Sequence, residues 1–74
     1  MIHNADTATS VYVDTVDRRW KASHTTYKRV CHLSRDAAIQ LAEMHRMTGA
    51  RAAIRKMRTV AGAWNVYLYR KVGA

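Results

Sequence analysis

Apolar positions alternate most cleanly near the end of the chain. Trp64, Val66 and Leu68 recur at every second residue, and Asn65, Tyr67, Tyr69 and Lys71 lie between them. Side chains two apart share one face of a strand. The run Ala63–Val72 therefore predicts a strand with one face for the core and one carrying rings and charge. Arg51–Val60 reads as its hairpin partner, turning about Ala61–Gly62, where Gly62 supplies the positive φ such turns demand. Within Arg51–Val60 the apolar spacing slips, since Ile54 and Met57 are three apart. A β-bulge there would reconcile them and re-aim Arg55, Lys56 and Arg58.

Upstream, the period changes to that of a helix. Ser34 is a good N-cap, Asp36 sits where the helix dipole favours a carboxylate, and Gly49 suits a left-handed stop. Over residues 34–48, Ala37, Ala38, Leu41, Ala42, Met44 and His45 form one arc, with Arg35, Gln40, Glu43 and Arg46 outside it and Ile39 and Met47 off it. Three alanines on that arc allow a close approach to a sheet. Thr9–Val16 (TSVYVDTV) is rich in β-branched residues and predicts a first strand, with Val11 and Val13 on one face. Thr25–Leu33 predicts a second strand. Tyr27, Arg29, Cys31 and Leu33 share one of its faces and Lys28, Val30 and His32 the other, and neither is cleanly apolar. Trp20, among Arg18, Arg19 and Lys21, is expected to anchor the connection between them. The predicted fold is α+β in the order ββαββ: one antiparallel sheet of about four strands on a single helix at about 34–48. Residues 1–74 form one domain, with 1–8 a flexible tail.

Composition narrows the function. Thirteen Lys and Arg face five Asp and Glu, a formal charge of +8, and no acid follows Glu43. Such an excess attracts phosphate or anionic protein surfaces, although it also keeps a small domain in solution. A chain of this length buries only about 60% of its unfolded surface, so oligomerisation is an option. One cysteine, Cys31, excludes an internal disulfide and suits a cytoplasmic protein. No apolar run is long enough to span a membrane, and the first ten residues lack a signal-peptide pattern.

The residues argue against catalysis. Adjacent Cys31 and His32 would point to opposite faces of a strand, and no CxxC or HxxxH pair accompanies them, so neither a metal nor a cofactor is expected. No glycine-rich elbow supports a nucleophile, and the carboxylates are scattered. The partner-binding candidates are Arg29, Arg55, Lys56, Arg58, Tyr67, Tyr69 and Lys71. Rings interleaved with cations on a sheet face hold nucleic acid by stacking and phosphate contact. The same mixture builds protein interfaces or simply stabilises an exposed sheet by cross-strand pairing.

Leu33 and Ser34 at the helix start, followed by Thr59, Val60, Gly62, Trp64 and Tyr67 in the hairpin, form a pattern T-V-x-G-x-W-x-x-Y behind a Leu-Ser helix start. In this the chain resembles small phage-encoded anti-CRISPR proteins directed at type I systems, over Leu33–Tyr69. The resemblance implies a non-enzymatic inhibitor in the host bacterial cytoplasm. It would dock on subunits of the RNA-guided surveillance complex and obstruct target DNA binding. The alternative is a small basic protein that binds DNA or RNA directly.

Overall fold

The structure, a computed structural model, describes residues 11–72. The expected tail over 1–8 lies outside them, as do Thr9 and Ser10. A short helix α1 (residues 11–16) leads into a 3-10 turn at Arg19–Ser23. Strand β1 (His24–Leu33), helix α2 (Arg35–Arg46), and strands β2 (Arg51–Lys56) and β3 (Trp64–Lys71) follow. The sheet is antiparallel in the order β1-β3-β2. The fold is α+β, with three strands among the described residues rather than four. The order ββαββ gives way to α1-β1-α2-β2-β3.

Residues 11–16 are helical despite their β-branched side chains because tertiary contacts reward a helical period. Val11, Asp14 and Thr15, spaced i, i+3 and i+4, fall on one helix face. Val11 is fully buried in the core, and the Thr15 hydroxyl donates to Val11 O at 3.2 Å. Asp14, 2% exposed, pairs with Arg46 of α2 and with Arg51 of β2 at 2.7 Å. The Thr15 Oγ1 also accepts from Ile54 N at 3.0 Å, covering the edge of β2 that pairs with no strand among the described residues. As a strand, the segment would send Val11 and Asp14 to opposite faces and lose one of them.

Helix α2 forms as its caps predict. Ser34 Oγ accepts from Ala37 N at 3.2 Å, and Gly49 adopts φ +95° just beyond the last turn. Ala38 and Ala42 are fully buried against Ala52, Val66 and Leu68, with Leu41, Tyr27, Leu33, Ile54 and Trp64 packed around them. His45 also faces inward, its Nδ1 bonded to the Tyr27 hydroxyl at 2.7 Å while Arg70 lies over the Tyr27 ring. Met44, expected on the buried arc, is 64% exposed. It lies two residues, about 200°, around the helix from Ala42. Arg46, expected outside, is drawn in by Asp14.

Strand β1 defeats simple alternation because its register slips twice. Thr26 pairs with Tyr69 but Lys28 with Leu68, and Val30 pairs with Val66 but Leu33 with Trp64. Each slip inserts one residue and reverses which face the next side chains occupy. Arg29 is thereby turned to the far face while Tyr27 and Leu33 stay with the core. His32 in the second slip has φ +62°. The bulge expected at 54–57 is absent. β2 pairs with β3 without a shift from Arg51↔Tyr69 to Lys56↔Trp64. Met57 lies past the strand end, its N–H donating to Ala63 O at 2.9 Å, so the hairpin loop spans residues 57–63 with Gly62 at φ +74°.

Candidate functional site

The sheet has α2 on one face only. On β3, Val66 and Leu68 enter the core, so Asn65, Tyr67, Tyr69 and Lys71 belong to the far face. The register builds rows across that face. Tyr67 has Arg29 of β1 on one side and Ala53 of β2 on the other, while Tyr69 lies between Thr26 and Arg51. Arg55 pairs with Asn65 one row further along. Ala53 is therefore a small residue set between two arginines and beside a ring, which leaves a hollow in the sheet face.

The 3-10 turn closes one side of that hollow. The Trp20 ring packs edge-on to Tyr69 at 4.7 Å and to His24 at 5.7 Å, and its indole N–H donates to Asp14 O at 3.1 Å. This clamps the turn onto the far face and leaves Tyr69 only 7% exposed. Lys21 Nζ then stands 5.4 Å from the centre of the Tyr69 ring, a cation–π contact. Arg18 is held by Nε donation to Thr15 O at 2.9 Å. The result is an open depression of about 210 Å³ lined by Arg18, Lys21, Ala53, Arg55, Tyr67 and Tyr69.

Its described lining holds three cations and no acid. Among the described residues the ion pairs are Arg19 with Asp17 and Arg46 and Arg51 with Asp14, so Arg18, Lys21, Arg29 and Arg55 have no carboxylate within ion-pair distance. A second depression of similar size illustrates the contrast. It is lined by Arg19 and Arg51 together with Asp14 and Asp17, and its charges are internally matched. There the Arg19 guanidinium, hydrogen-bonded to Asp17 at 2.6 Å, holds the Asp17 carboxyl below its ordinary value, and Asp17 raises Arg19 in return. Asn65, beside Arg55, has a buried side-chain oxygen with no hydrogen-bond partner among the described residues. Such an unmet acceptor costs about 1–3 kcal/mol.

The residues expected to bind a partner divide between places. Tyr67, Arg55 and Arg29 come together on the far face. Tyr69 shares that face but supports the turn from below. Lys56 pairs with Trp64 and so belongs to the α2 side, Arg58 lies in the exposed hairpin loop, and Lys71 sits at the far end of β3 opposite His24. Arg18 and Lys21 were missed as site residues. Their signal was the basic cluster bracketing Trp20, because a ring that docks on the sheet brings its neighbours with it. Cys31 is half-buried and free, and no three His, Cys, Asp or Glu side chains gather as a ligand set among the described residues. No described helix is long and apolar enough to cross a membrane. No protein-family model, curated protein or solved structure matches the chain.

Proposed function

We propose that this chain is a non-enzymatic binding protein that holds nucleic acid on its open sheet face. One observation carries this reading: Arg18, Lys21 and Arg55 converge on a depression floored by Ala53, Tyr67 and Tyr69, with no carboxylate among the described residues to neutralise them. Cations without internal partners are available to phosphates, and binding then releases the counterions condensed on the nucleic acid. A protein partner with an acidic surface would meet the same cations, but the half-buried Tyr67 ring beside them adds a flat apolar surface suited to a base.

The test is fluorescence anisotropy with labelled oligonucleotides across a salt series. Four phosphate contacts, from Arg18, Lys21, Arg29 and Arg55, would give a slope of log K against log[salt] of about −3 for single strands and steeper for duplex. Arg55→Ala lowers the steepness by about one contact. Absence of binding to any oligonucleotide at low salt refutes the reading.

A second reading rests on the resemblance carried by Leu33, Ser34, Thr59, Val60, Gly62, Trp64 and Tyr67: an inhibitor that docks on a type I CRISPR surveillance complex and obstructs target DNA binding. Several of these residues have jobs in the fold itself. Ser34 caps α2, Gly62 takes positive φ, and Leu33 and Trp64 pack on the core. The pattern therefore has a structural cause that does not require that partner, and direct nucleic-acid binding is preferred. Unaltered target-DNA binding by such complexes at saturating protein would eliminate the inhibitor.

A further inference from the structure

The nucleic-acid reading leaves open which form of nucleic acid fits, and the arrangement around Tyr67 is specific on this point. We infer that the depression is a subsite for one unstacked base of a single strand, with Tyr67 as its stacking platform. This rests on the nucleic-acid reading and narrows it.

Three observations support the inference. First, Tyr67 is flanked unequally. Arg29 stands opposite it on β1, but Ala53 stands opposite on β2, and it is on the β2 side that the ring borders the depression. A long side chain at 53 would fill that space, and Ala53 is what makes it a hollow rather than a continuous basic ridge. Second, the hollow is recessed. The 3-10 turn, clamped by Trp20 on Tyr69, raises Lys21 as a wall, and Arg18 joins it at the rim. A duplex presents stacked bases whose ring faces are hidden, and its backbone would ride on the wall without reaching Tyr67. A strand with an exposed base reaches it, because base–aromatic stacking needs a free ring face on both partners. Third, cations lie on both sides of the ring, with Arg55 and Arg18 at the hollow and Arg29 across β3, so the phosphates on either side of a stacked base each meet a positive charge.

The subsite is tested with the full chain and three probes of equal length: an oligothymidylate of about 12 nucleotides, an abasic strand with the same phosphates, and a duplex. Measured by anisotropy at one low salt concentration, the oligothymidylate is expected to bind about 5- to 150-fold tighter than the abasic strand, the range a single base–aromatic stack provides. Tyr67→Phe keeps that ratio, and Tyr67→Ala reduces it to near unity. Equal binding of oligothymidylate and abasic strands by the wild-type chain overturns the subsite whether or not the alanine variant folds. So does a preference for duplex over the oligothymidylate. Either result leaves nucleic-acid binding intact, whereas failure of all three probes removes the reading beneath it.

Discussion

Asp14 offers the sharpest test of how the fold is held. It is 2% exposed, and its carboxylate meets two guanidinium groups: Arg46 through Nε and, at 3.3 Å, through Nη2, and Arg51 through Nη1 at 2.7 Å. These bonds tie α1 to α2 and to β2 at once. Asp14→Asn keeps the shape and removes the charge, which strands two cations. Removing one partner of a buried pair costs about 3–5 kcal/mol when the survivor stays buried. Here the arginine side chains retain 24% and 43% exposure, so water recovers part of that loss and about 2–3 kcal/mol is expected. A 74-residue chain has roughly 4–11 kcal/mol in total, so the loss is a large fraction. Urea unfolding should show a lower midpoint with an unchanged slope, and thermal unfolding a Tm lower by about 10–20 °C. The triple variant Asp14→Leu, Arg46→Met and Arg51→Met should regain most of the loss, because apolar replacement of a whole buried ion cluster is often neutral. The reasoning fails if Asp14→Asn costs less than about 0.5 kcal/mol, the level of an ordinary surface change. Arg18 depends on the same helix through Thr15, so Asp14→Asn should also weaken oligonucleotide binding.

The remaining expectations concern packing, charge and the site. Ala42→Leu forces a larger side chain between α2 and the sheet where Ala42 has no exposed surface, and should cost about 1–3 kcal/mol by thermal unfolding. An NMR titration should place the Asp17 carboxyl below 3.8, and Arg19→Gln should raise it toward that value, because the guanidinium is lost while the Arg19 backbone N–H bond and the Arg51 charge remain. Because the folded value is lowered, the pair's contribution to stability is present above 3.8 and fades as pH falls through the folded value. Lys56→Ala and Arg58→Ala, both away from the depression, should alter the salt slope of binding much less than Lys21→Ala, which salt-series anisotropy resolves.

Much of α2 and the hairpin was legible in the chain. Ser34, Asp36 and Gly49 mark α2 within a residue or two, and Trp64, Val66 and Leu68 identify the inward face of β3. These signals are local, since a cap or an alternation depends on neighbours only a few residues away. Two features were not legible for the opposite reason. In β1, two single-residue slips reverse the pattern twice, so no single alternation describes Tyr27, Arg29 and Leu33 together. In α1, the β-branched composition points to a strand, and the helical face includes Asp14, whose burial is tolerated only because Arg46 and Arg51 arrive from 32 and 37 residues away. Of the site, Arg55, Tyr67 and Arg29 were in view, but Arg18, Lys21 and Ala53 were not, because the turn reaches β2 and β3 only through the docking of Trp20.

The sequence by itself determined the α+β class, the capped helix, the apolar face of the last strand and the excess of positive charge. Each of these follows from residue type and short-range spacing. Tertiary structure alone decided that residues 11–16 coil into a helix, that the sheet has the order β1-β3-β2, and that Arg18 and Lys21 of the turn meet the distant Arg55 around one small alanine beside Tyr67. The physical reason is that burial and ion pairing between remote segments outweigh local propensity, which spans only about 1 kcal/mol per residue, wherever a single buried pair or ring contributes more.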